Sequence, residues 1–429
     1  MSWKELQPGV FRRPAGENEI MIKTIGDFGK PYGRQHWAIT VTAKLAMVGL
    51  ASSSASEAAV RRAWMSCRIM HPGIASVFLN GDTLQYVVPD EHSMQQWADE
   101  SFFCVVSALP AESDVKEEGQ LDTLLQQLDP TGIAVDSIGS ATLHYLKQTG
   151  HVVLRMAHWR TDGHGAVQIL NDLVSLIAAE MAPEAKQRAV QWGHETSRLP
   201  PSVEVALLNP PSPPPAPLAN EARRCLETTL LAKDAMCLHF RGDPSTPPGG
   251  TRCVGRRLSR TVTDTIVQAC ARAGVCVTAA VHAAIACTAA QNRCDGDEGL
   301  FVSTIRASLR PAVSASLADL PVQAAGLYTA GWLVGVSASA SWAEHVVFFQ
   351  QQYGGRLTQD FLLSRREYAT QMLGRMRPAH AQDDARSPRQ PHAMAPAVPD
   401  HSTRATLRLL THRGTLACSS KAFHLALRL

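Results

Sequence analysis

The chain has little of several features that mark particular classes of protein. Its 429 residues carry 41 Lys and Arg against 38 Asp and Glu, a formal net charge of +3, so no polyanionic partner such as nucleic acid is predicted. Its ten cysteines include no CxxC pair, which argues against a structural zinc or a disulfide framework. We therefore expect no metal site, and we expect most cysteines to be small buried hydrophobic residues.

Long hydrophobic runs are also missing. No stretch reaches the roughly 18 uninterrupted apolar residues of a membrane-spanning helix, and the most apolar one, 278–290, is short and contains His282. The N-terminus lacks a basic start followed by an apolar core, so it does not predict a signal peptide. These features predict a mature protein that begins near Met1, lies in the cytoplasm and has no membrane partner.

The sequence has enough apolar residues, 45%, to bury more than one core, so two domains are predicted. Strand-like and helix-like segments alternate in both halves, and the proline-rich run between Leu199 and Pro217 predicts an extended linker. After about Arg375 the sequence becomes polar, proline-rich and aperiodic, which favours disorder. The predicted division is an N-terminal domain at 1–195, a linker at 196–225, a C-terminal domain at 226–374 and a disordered tail at 375–429.

One short motif could carry chemistry, the hexapeptide His-Trp-Arg-Thr-Asp-Gly at 158–163. A strand is predicted at His151–Ala157 and a helix after the motif, so the motif lies on a strand-to-helix turn. A neutral imidazole such as His158 can take the proton of a hydroxyl that attacks a thioester, a contribution of roughly 10²–10⁴-fold. On the same turn Asp162 could orient the ring or fix the loop through an arginine, and Gly163 would permit backbone angles that a side chain forbids.

An alternative interpretation needs no catalysis. His158 could simply end a strand, and Asp162 could cap the following helix, as aspartate commonly does; both roles are compatible for Asp162. Other residues also have default structural interpretations. His164 is expected in a solvated helix start, His71 in a turn and His282 in the core. Aromatic core packing is the default for Tyr328 and Trp332.

The stretch HWRTDGHGAVQILNDL at 158–173 resembles the HxxxDG active-site motif of the superfamily that contains chloramphenicol acetyltransferase, the plant BAHD acyltransferases and peptide-synthetase condensation domains. Three further segments resemble its fungal secondary-metabolite branch, to which trichothecene O-acetyltransferases belong. They are AWxxxRxxHPxIA from Ala63, LSxxxTxxxxxACxxxGVxVTAA from Leu258, and LYTAGW from Leu327. The resemblance covers residues 1 to about 370.

The resemblance implies an α/β (α+β) fold of two similar domains, each a mixed sheet flanked by helices, with an active-site channel between them. It implies that His158 is the general base, that Asp162 is a structural member of the catalytic motif and pairs with an arginine of the second domain, and that Gly163 shapes the turn. Arg306 is the predicted partner of Asp162, with Arg310 as the second choice.

The resemblance also implies the substrates. An acyl-CoA, expected to be acetyl-CoA, serves as co-substrate rather than as a bound cofactor, and the acceptor is a small-molecule alcohol or amine of secondary metabolism such as mycotoxin biosynthesis. No acyl-enzyme is implied, in agreement with the lack of a GxSxG sequence. The protein is expected to act as a monomer, and no residue is assigned to binding either substrate.

The sequence departs from the superfamily at three places. Ala157 stands where condensation domains carry a second histidine, which favours a simple acyltransferase. A DFG sequence begins at Asp27, far from the C-terminal DFGWG of the plant enzymes, so Asp27 is expected in a loop. The proline-rich tail replaces the last strands of the second domain. Two alternatives therefore stay open: a catalytically impaired, truncated homologue or binding protein, and a condensation-like enzyme that uses a carrier-protein thioester.

Overall fold

The structure is a computed structural model. It describes residues 2–28, 37–45, 54–105, 121, 123–125, 128, 141–182, 192–238, 258–294, 296–313, 325–355 and 357–376. Apart from Arg375 and Met376, which end a helix, the predicted disordered tail lies outside the described residues.

The described residues form strands and helices in both halves of the chain. The strands are β1 (Lys4–Gln7), β2 (Val10–Pro14), β3 (Ala38–Lys44), β4 (Val77–Leu79), β5 (Thr83–Val87), β6 (Phe102–Val105), β7 (Thr142–Leu146), β8 (His151–Ala157), β9 (Leu300–Ser308) and β10 (Thr329–Ser337). The α-helices are α1 (Glu17–Asp27), α2 (Ser54–Met70), α3 (Glu91–Ser101), α4 (Gly163–Glu180), α5 (Val203–Ala206), α6 (Ala216–Glu227), α7 (Arg260–Arg272), α8 (Val277–Gln291), α9 (Trp342–Gly354), α10 (Gln359–Leu363) and α11 (Arg365–Met376). Short 3₁₀ helices lie at Pro72–Ala75, His194–Arg198, Thr228–Asp234 and Arg310–Ala312.

A mixed sheet in the order β3-β8-β7-β6 forms the centre of the N-terminal region (residues 2–182). Its strands pair antiparallel except β6 and β7, which are parallel. β8 lies between two strands and is buried at every position except Arg155, which explains its almost continuous apolar sequence. Helices α2 and α4 pack together, and their apolar side chains share one core with this sheet. The β8–α4 connection is therefore anchored by buried elements on both sides.

A second sheet of this region, in the order β1-β2-β5-β4, is antiparallel throughout.

The prediction that Asp27 lies in a loop is wrong, because Asp27 ends helix α1 and forms an ion pair of 2.6 Å with Lys23. The apolar residues Met21, Ile22 and Ile25 are spaced for one helical face and are buried. This pattern was available in the sequence and predicts α1 without the DFG resemblance.

The C-terminal region (residues 258–376) contains the antiparallel pair β9 and β10, packed with helices α8 and α9 around a second core. Sheets flanked by helices in both regions confirm the predicted α/β fold class. Within the described part of this region the sheet comprises these two strands and a parallel bridge from Ala235 to Leu300. The positions of the domain boundaries stay predictions.

The segment predicted as an extended linker is partly helical. It contains α5 and nearly all of α6, and the prolines at 215 and 217 lie at the start of α6. A proline is tolerated at a helix start because the missing N–H has no partner within the helix. The proline-rich run therefore contains the start of a helix as well as extended chain.

A third core joins the two regions. It combines Met21 and Ile22 of α1 with Trp159, which follows β8, and with Leu327 and Ala369 from the C-terminal region. Apolar surface from distant parts of the sequence is thus buried directly beside the predicted active-site motif.

Two expectations about composition can be compared with the described residues. No single helix there has the length and apolar character to cross a membrane; α7 and α8 meet the test only as a pair, with a bend of 104° between them. All eight described cysteines are free, but only Cys67, Cys225 and Cys270 are buried, so the expectation that most are buried is wrong for this part of the chain.

Candidate active site

His158 lies directly after β8, where the chain leaves the central sheet. Its neighbours Ala157 and Trp159 are buried in the third core, while His158 itself is half-buried. Its backbone N–H donates to the carbonyl oxygen of Trp37 at 3.2 Å, which extends the β3–β8 ladder by one bond. The position of His158 is therefore fixed by its buried neighbours.

The protonation pattern of the ring follows from its hydrogen bond. Nδ1 of His158 lies 3.0 Å from the carbonyl oxygen of Thr161. Because a carbonyl oxygen only accepts hydrogen bonds, Nδ1 carries the proton in the neutral ring. The other nitrogen, Nε2, keeps its lone pair and is the atom that can accept a proton.

Asp162 is the N-cap of α4, and its Oδ1 accepts the N–H of Gly165 at 3.1 Å. Nη1 of Arg310 lies 2.6 Å from both of its carboxylate oxygens, and the backbone N–H of Tyr328 donates to Oδ2 at 2.8 Å. The carboxylate therefore binds its own helix and two segments of the C-terminal region. The sequence-based role of Asp162 as a structural residue agrees with this arrangement, since none of these contacts involves the imidazole.

The arginine that pairs with Asp162 is Arg310, the second choice, and the prediction of Arg306 is wrong. Arg306 lies within β9 opposite Gly331, so its direction is set by the strand. Arg310 lies beyond the end of β9, in a 3₁₀ helix, and its Nη2 also donates to the carbonyl of Gly326 at 3.1 Å. The turn after the strand, rather than the strand end itself, brings the guanidinium to the carboxylate.

The proposed reason for Gly163 also needs correction. It is the first residue of α4 and does not belong to the glycines with a positive φ. The turn therefore does not require glycine for a left-handed backbone conformation at this position.

The pKa values of His158 and Asp162 are both lowered. Burial, which disfavours the imidazolium, lowers the pKa of His158, and the positive charge of Arg306 lowers it further. Burial alone would raise the pKa of Asp162, but the charge and hydrogen bonds of Arg310, with the N–H groups of Gly165 and Tyr328, lower it overall. At neutral pH the site thus holds a neutral imidazole and a paired carboxylate.

The other residues considered in the sequence have structural surroundings. His71 is buried and its Nε2 lies 2.9 Å from Oδ2 of Asp172. His282 is buried in α8 and stacks on Phe349, with ring centroids 3.6 Å apart. The buried pair Tyr328 and Trp332 belongs to the core of the C-terminal region, while His164 is half-buried in the first turn of α4.

Sequence reasoning missed the contribution of Trp37, whose ring lies 5.8 Å from that of His158 and is contacted by Arg306. Its position before β3 gave one usable signal, since a residue that flanks a strand paired with β8 must lie near the end of β8. The carbonyl of Thr161 could not be singled out, because a backbone oxygen leaves no mark in a sequence.

The described residues contain no group of three or more His, Cys, Asp or Glu side chains placed to hold a metal ion. A surface cavity of about 610 Å³ lies between the end of α8 and the start of α9, lined in part by Cys287, Arg293 and Trp342. None of the motif residues lines it, so it is separate from the His158 site.

No protein-family model matches the chain. The chain is 35% identical to acetyltransferase pigO of Monascus ruber over 371 residues, which cover 86% of this chain and 76% of that protein. It is 26% identical to O-acetyltransferase pigM of the same organism over 320 residues, which cover 72% of this chain and 57% of that protein.

Two solved structures are similar in fold. TRI3 trichothecene 15-O-acetyltransferase from Fusarium sporotrichioides covers 87% of this chain and 79% of its own, with a TM-score of 0.64 and 15% identity. The first condensation domain of the calcium-dependent antibiotic synthetase covers 82% of this chain and 75% of its own, with a TM-score of 0.53 and 15% identity. At such identities the likeness shows the fold alone.

Proposed function

The chain belongs to the fungal branch of the chloramphenicol-acetyltransferase-like acyltransferases, and on this premise we propose that it transfers an acetyl group from acetyl-CoA to a hydroxyl of a small secondary metabolite. The acetyl group and the oxygen acceptor are supported by the similarity to acetyltransferase pigO and O-acetyltransferase pigM. His158 is the proposed general base.

In the first step of the proposed reaction, Nε2 of His158 takes the proton of the acceptor hydroxyl as its oxygen attacks the thioester carbonyl. The carbonyl π electrons move onto oxygen and a tetrahedral adduct forms. The observation that carries this step is the hydrogen bond from Nδ1 to the carbonyl of Thr161, because it leaves Nε2 as the proton acceptor.

In the second step the adduct collapses, the carbon–sulfur bond breaks, and the coenzyme A thiolate leaves. The thiolate takes up the proton held on Nε2, so the products are the acetyl ester and free coenzyme A, and the ring is neutral again. No covalent enzyme intermediate is needed. The carbonyl of Thr161 fixes the ring in both steps, because Nδ1 carries its proton in the neutral and the charged forms.

Asp162 and Arg310 act as positioning residues in this proposal. Their ion pair fixes the turn that follows His158 to the 3₁₀ helix beyond β9, and the N–H of Tyr328, which also binds the Asp162 carboxylate, fixes the turn to the segment that precedes β10. A displacement of the base by about 1 Å can cost on the order of 10²-fold in rate, so such fixation affects turnover without contact to the substrate. Because one chain supplies the base and both of these residues, we propose a monomer as the active form.

The test uses purified full-length protein with acetyl-CoA and a panel of alcohols and amines, and compares wild type with His158→Ala. Release of coenzyme A that depends on an alcohol is expected for wild type, with a loss of roughly 10²–10⁴-fold in the variant. The exposed His92 in α3 provides a matched control, and His92→Ala is expected to keep full turnover.

Three results would contradict the proposal. Equal turnover by wild type and His158→Ala would exclude His158 as the base. Transfer from an acetylated phosphopantetheinyl carrier protein with none from free acetyl-CoA would favour the condensation-like alternative. A folded protein that binds coenzyme A in calorimetry but transfers to none of the acceptors would favour a binding protein.

A further inference from the structure

Arg306, which does not pair with Asp162, lies in a different and equally specific environment. It is opposite Gly331 in the β9–β10 register. A Cβ atom at position 331 would lie 3.0 Å from Cδ and 3.3 Å from Nε of Arg306. The side chain therefore lies along β10 over a residue that has no side chain to displace it.

The guanidinium of Arg306 reaches Trp37. Its Cζ lies 4.9 Å from the centroid of the Trp37 ring, a cation–π distance. The same ring lies 5.8 Å from the His158 ring, tilted by 48°. Trp37 thus contacts both the cation and the proposed base.

The backbone at Trp37 is itself unusual. Its φ is +62°, in the left-handed region that bulky residues rarely adopt because it is strained. The carbonyl of this residue accepts the N–H of His158. Trp37 therefore contacts His158 through its backbone carbonyl as well as through its ring.

We propose that Arg306, together with Trp37, is a positioning residue for the reaction: it keeps the His158 imidazole in its proton-accepting neutral form. The catalytic part of this inference rests on the proposed function. The effect of Arg306 on the protonation of His158 does not depend on whether the protein transfers an acetyl group.

The charges around the imidazole support this role. Burial is the largest cause of the lowered pKa of His158; after it, the charge of Arg306 from β9 lowers this pKa and that of Asp162 from the turn raises it. The Asp162 carboxylate is offset by Arg310 at 2.6 Å, whereas Arg306 adds a positive charge that opposes a second one on His158. On α11, the Tyr368 hydroxyl also lies within the influence of Arg306.

The test follows the protonation of His158 directly. Diethyl pyrocarbonate modifies neutral imidazole, and peptide mass spectrometry isolates the fraction modified at His158 from that at other histidines. We expect the pH midpoint of modification to move to higher pH in Arg306→Gln, because the opposing charge is gone. Arg306→Lys, which keeps the charge, is expected to stay close to wild type.

Two further variants complete the design. Gly331→Val places side-chain atoms where Arg306 now lies, and it is expected to move the midpoint in the same direction; it keeps the test open if Arg306→Gln does not fold. Arg260→Gln is the matched control, since the side chain of Arg260 is 95% exposed and forms an ion pair with Asp264 one helical turn away. Its midpoint should equal that of wild type.

The outcomes separate this inference from the proposed function. An unchanged midpoint in folded Arg306→Gln, or equal shifts in Arg306→Gln and Arg306→Lys, would overturn the role of the Arg306 charge. A shifted midpoint in a protein without acetyl transfer would support the inference and count against the function. If both hold, the acid side of the kcat profile of Arg306→Gln moves to higher pH together with the modification midpoint.

Discussion

The two ends of the β8–α4 turn meet the C-terminal region in opposite ways. At one end, the Asp162 carboxylate is paired with Arg310 and accepts two backbone N–H groups. At the other, the Trp37 ring lies 5.8 Å from the His158 ring and 4.9 Å from Cζ of Arg306. Arg310 stabilises the negative charge of Asp162, whereas burial and then the charge of Arg306 lower the pKa of His158.

Two arginines four positions apart in sequence thus have different surroundings, and we propose that Arg310 serves stability and Arg306 serves the chemistry of His158. The distinction depends on where β9 ends. Arg306 is within the strand and lies along its partner strand, whereas Arg310 is in the 3₁₀ helix beyond it. Comparison of matched substitutions at the two arginines should therefore separate the two roles.

The largest effect on stability is expected for Arg310→Leu. The side chains of Arg310 and Asp162 are only 14% and 5% exposed, so the variant leaves a buried carboxylate without its cation. A loss of about 3–5 kcal/mol in the free energy of unfolding is expected, measured by urea denaturation. A loss below about 1 kcal/mol would show that the pair contributes little to joining the two regions.

A smaller effect is expected for Asp162→Asn. The amide keeps an oxygen for the N–H of Gly165 or Tyr328 but loses the charge that Arg310 binds. We expect a loss of about 1.5–3 kcal/mol in urea denaturation. Asp162→Ala, which also removes the helix cap, should cost more than Asp162→Asn; the reverse order would contradict the assigned hydrogen bonds.

The pH dependence of stability should distinguish the two ends of the turn. The folded-state pKa of both groups is lowered, so each favours the folded state above its unfolded pKa and loses this contribution as pH falls through the folded pKa. For His158 the loss begins below about pH 6.5, and for Asp162 below about pH 3.9. The urea midpoint of wild type, measured across this pH range, should therefore fall in two steps. The step below about pH 6.5 should be absent in His158→Gln, and the step below about pH 3.9 should be absent in Arg310→Leu.

The smallest effect is expected for Arg306→Leu, the same substitution as at Arg310. Arg306 is half-buried and contacts Trp37 through a cation–π interaction, which contributes about 0.5–1 kcal/mol. A change of about 1 kcal/mol or less in the free energy of unfolding is expected by urea denaturation. A loss as large as that of Arg310→Leu would contradict the division of roles between the two arginines.

Local patterns in the sequence predicted much of the fold. The apolar run at His151–Ala157 predicted β8 with its observed bounds, and hydrophobic periodicity predicted a helix after the motif, where α4 lies. Helix α1 was missed although Met21, Ile22 and Ile25 carried the same signal. The helical part of the predicted linker was missed because proline is compatible with both a helix start and an extended chain.

The candidate site was predictable where one short segment contains its residues. His158 and Asp162 lie on one turn, so their motif was visible as consecutive residues. The choice between Arg306 and Arg310 depended on the exact end of β9, and strand ends are the least certain part of a sequence-based prediction. The role of Trp37 depends on a tertiary contact and on an unusual φ, neither of which a local pattern encodes.

The core shared by α1, Trp159, Leu327 and Ala369 packs residues of both regions beside the turn that follows β8. A fragment that ends before β9 would expose this apolar surface and leave Asp162 with neither Arg310 nor the N–H of Tyr328. Chimeras that exchange one half between related enzymes would therefore have to carry matching partners for both contacts. For protein engineering, this chain is a single unit whose parts are best exchanged together.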